Sequence, residues 1–323
     1  MKVKTTNSLM KYLRDNHNIN IGDSKDKRNL INIGYYHGYK GYRYINNPQN
    51  RINITNFSEI VSIVNFDSKL KSLLYPQLMQ IETISKNIVL QLLVEEYNTN
   101  EFNEIYEKGM TDYKNSTSKD YKEKMKHRLN VRNNIYSSLS RSYNNNNKIV
   151  NHFYSQDRPV PIWGIFEIIT LGTFADLIKS LELNLRLKID KEMQLNISFD
   201  SNGKFPEKII YLLKALRNSV AHNDVVFDVR FKDSKIDSTL CKYIENEINC
   251  TNVDFSTITD YILIITLLLK KYGITKTELK EFVNDFEKII EDFRTKIPFN
   301  IYSQVIHTDV KSKLKQLRKY IKN

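Results

Sequence analysis

Residues 206–222 read PEKIIYLLKALRNSVAH and show the clearest helical pattern in the chain. Within them Ile209, Leu213, Leu216 and Val220 recur at steps of four, three and four, which places all of them on one face of an α-helix. The same periodicity dominates elsewhere, and nine glycines with six prolines leave few breaks for a many-stranded sheet. The sequence therefore predicts an all-α fold.

The end of this helix carries groups suited to phosphate chemistry. Arg217 offers a permanent cation whose planar fork matches phosphate oxygens, and His222 can take and give a proton near neutral pH. Asn218 lies one turn before His222 and shares its face, whereas Arg217 and His222 lie about 140° apart on a regular helix. One copy on an ideal helix cannot clamp a single phosphate. Either the helix ends or distorts near Ala221, or two copies meet across a twofold axis and build a composite site.

Hydrophobic periodicity predicts eight further helical segments. Pro76 is where the longest of them would break or kink, giving one or two helices. Residues 225–231, VVFDVRF, have the β-branched and aromatic content of a short strand or extended arm after the motif helix. These patterns divide the whole chain into three segments. They are an N-terminal helical extension with a Tyr- and Gly-rich turn (1–56), a helical core (57–296) and a basic helical tail (297–323). The eight predicted helices cover 6–15, 24–33, 58–97, 118–143, 162–183, 256–272, 276–294 and 309–322.

Composition limits the class of protein. A net charge of +12 indicates an anionic partner, but the chain is rich in Asn, Lys, Ile and Tyr throughout, as an AT-rich genome would produce, so the charge favours nucleic acid only modestly. The chain has two cysteines, Cys241 and Cys250, which are too few for a disulfide scaffold and lack the paired spacing of a zinc site. The N-terminus has no secretory signal, and the longest apolar stretch is far shorter than the roughly 20 residues of a membrane span. We expect a cytoplasmic protein without membrane, metal or cofactor.

Short motifs run in order along residues 30–231. The Arg217–His222 spacing, with residues 218–221 between, resembles that of the HEPN ribonucleases, and the whole series resembles the Abi_2 group of bacterial abortive-infection proteins, of the AbiD and AbiF type. The motifs are IGYY (33–36) with GY (41–42), FDSKL (66–70), IE (81–82), PIW (161–163) with Glu167 and LG (171–172), LRNSVAHN (216–223) and VFDVRF (226–231).

The resemblance implies a HEPN-like helical bundle, one Arg–His site per chain, a homodimer formed through the motif helix, and a role in defence against phage. Its chemistry would be that of a toxin that cleaves RNA without a metal, leaving 2′,3′-cyclic phosphate and 5′-hydroxyl ends. The candidate catalytic residues are Arg217 as phosphate clamp, His222 as general base or acid, and Asn218, which would orient His222. Some relatives are similar to systems encoded beside a structured non-coding RNA. The alternative is therefore a non-catalytic protein that binds a cognate non-coding RNA.

Other interpretations stay open. Arg and His near a helix C-terminus also interact favourably with the helix dipole, so the motif could belong to a degenerate site or to a helical scaffold that binds another protein. Lys40 and Arg43 alternate with tyrosines as a base-stacking surface would, although packing of those tyrosines, as in a short hairpin, is the favoured account. Lys40, Arg43 and Arg230 are the candidate nucleic-acid-binding residues.

Overall fold

A computed structural model describes residues 4–232 and 234–323. Over those residues the regular elements are helices, and the β-type pairing consists of two isolated bridges, Asn20 with Asn56 and Tyr44 with Arg51. The all-α prediction is confirmed. In chain order the α-helices are α1 Thr6–His17, α2 Ser24–Ile33, α3 Phe57–Tyr97, α4 Phe102–Gly109, α5 Ser118–Asn144, α6 Lys148–Tyr154, α7 Ile162–Ile168, α8 Leu171–Ser180, α9 Leu183–Glu192, α10 Phe205–Ala221, α11 Ser238–Ile248, α12 Ile258–Lys271, α13 Lys276–Lys296, α14 Phe299–Val305 and α15 Val310–Lys322.

The chain divides into two compact units. The first comprises Met1–Leu78 with Ala215–Asn323, and the second comprises Met79–Lys214. The boundaries predicted at residues 56 and 296 mark changes in sequence character and stay predictions. None of the helices in the described residues is both long enough and apolar enough to cross a membrane.

The first unit is built around α12. Every residue of α12 from Ile258 to Leu269 is buried, and α11, α13 and α15 pack against it. The buried side chains of α13 recur at helical spacing and line one face, so α13 is amphipathic, as its pattern predicts. Lys313 of α15 reaches the buried Asp260 of α12 at 2.7 Å, which places an ion pair inside this apolar core.

The second unit is organised by α5 and α8, which pack along each other. The prediction of one helix over 162–183 is wrong, because the chain is extended at Ile169 and α8 begins anew. Thr170 caps that new start, since its Oγ1 accepts from the Thr173 amide at 3.2 Å. The apolar periodicity continues across this cap, which is why the pattern alone reads as a single helix.

Three other predictions can be compared with the structure. Helix α3 runs unbroken through Pro76, so the 58–97 segment is one helix. Residues 34–40 form a π-helix rather than a hairpin, entered through Gly34 at a positive φ of 76°. Residues 225–231 lie outside any helix as predicted, but they form turns rather than a strand, and Val229 adopts a left-handed backbone with φ 59°.

Candidate active site

Helix α10 ends at Ala221 with a closed cap. The Asn223 amide donates to the Val220 carbonyl at 3.3 Å, and the Asp224 amide donates to the Ser219 carbonyl at 2.8 Å. Asn223 takes the left-handed conformation, with φ 59°, that this Schellman closure requires. Asn is one of the few non-glycine residues that enter this region readily, so the sequence itself specifies the stop.

His222 occupies the last position before that left-handed residue. Its amide donates to the Asn218 carbonyl at 2.9 Å, so its backbone still belongs to the helical hydrogen-bond ladder. The residues from Ala221 to Asp224 are exposed. Of the two arrangements that the sequence left open, a helix that ends at Ala221 is therefore present in the single chain. The backbone position of the exposed His222 is therefore set by the end of the helix.

Asn218 links the two other members of the motif. Its side-chain Oδ1 accepts from Arg217 Nη1 at 3.3 Å, while its backbone carbonyl holds the His222 amide. Both Arg217 and Asn218 are half-buried. The side-chain contact of Asn218 is thus to Arg217, whereas the sequence predicted an orienting contact to His222. Asn218 can position both groups, one through its side chain and one through its backbone.

A buried charge pair holds the cap residue. Lys71 Nζ donates to the Asn223 side-chain oxygen at 2.6 Å and lies 2.9 Å from Asp67, one turn earlier on α3. The side chains of Lys71 and Asp67 are 8% and 0% exposed, so the pair is almost fully withdrawn from water. The side-chain nitrogen of Asn223, Nδ2, lies 3.3 Å from His37 Nε2. The residue that follows His222 is therefore clamped from two sides.

Asp67 also fixes the chain that leaves the motif helix. Its Oδ1 accepts from the amides of Val226 and Phe227 at 2.9 and 2.7 Å, and its Oδ2 accepts from the Tyr42 hydroxyl at 2.7 Å. Burial and the adjacent Asp67 carboxylate raise the pKa of Tyr42, so the hydroxyl remains the donor. One carboxylate thereby ties α3 to the segments before and after the site.

Arg230 is committed to internal partners. Its Nε donates to Asp228 at 2.9 Å, its Nη1 to the Gly41 carbonyl at 2.8 Å and its Nη2 to the Tyr44 carbonyl at 2.9 Å. Asp228 in turn accepts from the Asn46 amide at 2.6 Å. These contacts favour a structural role for Arg230, which fastens the turns after α10 to the N-terminal segment. Its contact with nucleic acid stays a prediction.

An open pocket of about 370 Å³ lies beside the cap. His37 lines this pocket, and it lies in none of the motifs that the sequence analysis singles out. Its contact with Asn223 and its place in the pocket become visible only in three dimensions, although it directly follows the IGYY motif. The lining residues are Tyr36, His37, Gly41, Ser219, Asp224, Val225, Arg230 and Phe231.

Lys40 and Arg43 lie among the tyrosines, as their alternation in sequence suggests. Lys40 Nζ is 4.9 Å from the ring centre of Tyr36, and the Arg43 guanidinium carbon is 5.6 Å from that of Tyr39. Both cations thus sit within cation–π range of aromatic rings. Across residues 4–232 and 234–323, no three His, Cys, Asp or Glu side chains are grouped so that they could hold a metal ion.

The family model described as Abi-like protein matches residues 28–228, well over half of the chain. The chain belongs to the Abi-like protein family. This membership suggests a function in abortive infection. The matched region contains α10 and its cap, together with the segments that supply His37, Asp67 and Lys71 to the surroundings of that cap. No curated protein and no solved structure matches the chain.

Proposed function

We propose that this Abi-like protein is a HEPN-type endoribonuclease that cleaves RNA without a metal, as the toxic step of abortive infection. In this scheme a ribose 2′-hydroxyl attacks the adjacent phosphate, which needs a base, a proton for the leaving oxygen and stabilisation of the developing charge. His222 would take the proton of the 2′-hydroxyl or give one to the leaving 5′ oxygen, with water serving the other transfer, and Arg217 would bind the phosphate oxygens. The bond from the 2′ oxygen to phosphorus forms as the bond to the 5′ oxygen breaks. The products carry a 2′,3′-cyclic phosphate and a 5′-hydroxyl.

The main support for this proposal is the cap of α10, where Lys71 and His37 hold Asn223 next to His222. An Arg and a His that served only the helix dipole would need no buried ion pair beneath them, because a dipole interaction acts on exposed charges at the helix end. Removing Lys71 and Asp67 from water is costly, and here their contacts fix the residue next to His222. A backbone held in this way beside an exposed histidine suits proton transfer, and simple capping does not require it.

Cleavage in the presence of EDTA tests the proposal. The wild-type protein should cut single-stranded RNA in EDTA, and sequencing of the ends should find the cyclic phosphate. His222→Ala and Arg217→Ala should each lower the rate by about 100-fold or more, because general acid–base catalysis and charge stabilisation contribute factors of this size. His152→Ala, which alters a histidine of the second unit, is the matched control and should cleave like the wild type. Cleavage that survives both motif substitutions would contradict the proposal.

We also propose that two chains form a homodimer through the motif helix, because Arg217 and His222 lie about 140° apart on a regular helix and a second copy could bring the missing partner to each site. If Arg217 of one chain acts with His222 of the other, equimolar mixing of the Arg217→Ala and His222→Ala chains should restore about a quarter of the wild-type rate, since half of the freely exchanged dimers then hold one intact site. Activity that is not regained in a verified mixed dimer would show that each chain uses its own pair.

The alternative function is a non-catalytic complex with a cognate non-coding RNA. The net charge of +12 favours an RNA partner in either case. Purified protein would then retain RNA of one defined length, and its binding would survive the two motif substitutions. Protein that neither retains nor cleaves RNA would favour a scaffold for another protein instead.

A further inference from the structure

A cluster of aromatic rings joins α1 to the π-helix of residues 34–40. The ring centres of Tyr12 and His17 lie 5.1 Å apart, those of Tyr12 and Tyr35 6.5 Å apart, and Tyr35 contacts Tyr36 at 5.4 Å and Tyr39 at 5.7 Å. The cluster runs from the core to the solvent, because Tyr39 is 3% exposed while Tyr36 is 73% exposed. It therefore presents a supported ring at the surface.

Basic side chains lie over these rings. Lys4 Nζ is 3.3 Å from the ring centre of Tyr12, and Lys40 Nζ is 4.9 Å from that of Tyr36 and 5.4 Å from that of Tyr35. Single-stranded nucleic acid offers the π-face of its bases and the negative charge of its phosphates. Aromatic rings can stack on the bases, and cations can bind the phosphates.

The electrostatic surroundings of His17 show that the positive charge is concentrated. Its pKa is lowered by burial and, after that, by the nearby cations Arg43, Arg51, Lys40 and Lys4. Four basic groups therefore act on one point of this surface. The aromatic–basic face is defined as Tyr12, His17, Tyr35 and Tyr36 with Lys4, Lys40, Arg43 and Arg51.

Packing alone explains only part of this arrangement. Tyr39 fills the core, and the half-buried Tyr35 lies stacked on it, as apolar burial would require. Tyr36 gains little from burial, since most of its ring faces water. An exposed cation–π contact is weak, and packing of the tyrosines does not require four cations at one place on the surface.

We propose that the aromatic–basic face binds single-stranded RNA, with a base stacked on Tyr36 and the neighbouring phosphates held by Lys40, Arg43 and Arg51. This inference rests on the proposed function and adds that the RNA is bound as a single strand. Duplex RNA keeps its bases stacked on one another, so it cannot offer a free base to Tyr36. The face thus selects unpaired RNA.

Binding is measured in the His222→Ala background, so that cleavage does not consume the probe, by fluorescence anisotropy of a short labelled single-stranded RNA. Tyr36→Ala should weaken binding about fivefold or more, because one stacked base contributes at least that much. Tyr36→Phe keeps the ring and should bind like the parent. Lys40→Ala should weaken binding and reduce the slope of log affinity against log salt by about one. A duplex of the same length should bind more weakly and should not respond to Tyr36→Ala.

Two control variants match these changes. Tyr75→Ala removes another exposed tyrosine of the same unit, 44% exposed on α3, and Lys280→Ala removes an exposed lysine of α13. Both should bind like the parent. A Tyr36→Ala effect no larger than that of Tyr75→Ala, or an equal effect on duplex RNA, would overturn the proposal, as would the absence of single-strand binding.

Cleavage assays on the same variants with His222 restored separate this proposal from the proposed nuclease function. If the wild type does not cleave RNA but its binding depends on Tyr36, RNA binding by the aromatic–basic face is supported and the nuclease function is wrong. If the wild type cleaves RNA and Tyr36→Ala changes neither the affinity nor the cleavage rate, the nuclease function is supported and RNA binding by the aromatic–basic face is wrong.

Discussion

Two basic regions of the chain have similar residues and different surroundings. On α5 of the second unit, Arg128 donates to the carbonyls of Met110 and Tyr106 at 2.8 and 2.9 Å, and Lys124 pairs with Asp112 at 2.8 Å. These cations hold α5 to the chain before it. At the end of α10 in the first unit, a buried cation instead fixes a cap beside exposed polar groups. Basic composition therefore does not locate a site, whereas the partners of each cation do.

The largest effect is expected at the buried pair beneath the cap. Lys71→Met leaves the Asp67 carboxylate buried without its cation, so unfolding should become easier by about 3–5 kcal/mol in urea denaturation. The double variant Asp67→Asn with Lys71→Met removes both charges and keeps a side-chain carbonyl for the amides of Val226 and Phe227. It should recover much of the stability. Its cleavage rate should stay low, because Asn223 still lacks the Lys71 contact.

The outcome that would contradict this is a double variant that is stable and cleaves at the wild-type rate. The buried pair would then serve the fold alone. Rates must be compared at a temperature where circular dichroism shows every variant to be folded, so that loss of structure is not read as loss of catalysis.

Local sequence signals predict some helix bounds and the motif at the end of α10, but not the contacts around that motif. The bounds of α2, 24–33, were predicted correctly because Asp23 caps its first turn and Gly34 follows its last. The motif Arg217–His222 could be singled out because its residues are adjacent in sequence. The roles of His37 and Lys71 could not, because each meets Asn223 from more than a hundred residues away, and no spacing rule reports such contacts.

A smaller effect is expected on α5, and it should touch stability only. Arg128→Ala removes two charge-assisted hydrogen bonds and a guanidinium that lies 3.7 Å over the Tyr106 ring, so unfolding should become easier by about 2 kcal/mol. Arg128→Lys should lose most of the same stability, because a lysine cannot reproduce the planar fork. RNA affinity and cleavage rate, each measured per folded molecule, should not change. Weaker RNA binding by Arg128→Ala would show that α5 is a second RNA surface and would remove the contrast between the two regions.

The smallest change in stability is expected for Asn223→Gly, which should nevertheless slow cleavage. Glycine accepts the left-handed backbone without strain and Lys71 keeps its ion pair with Asp67, so Asn223→Gly should cost only about 1 kcal/mol for the lost hydrogen bond, whereas Asn223→Ala should cost about 1–2 kcal/mol more. Both variants lose the side chain that Lys71 and His37 contact. If that clamp positions His222, both should cleave more slowly by a similar factor despite their different stabilities. Should Asn223→Gly cleave like the wild type while Asn223→Ala does not, the backbone turn alone would suffice, and the buried lysine would have the same structural role as Arg128 on α5.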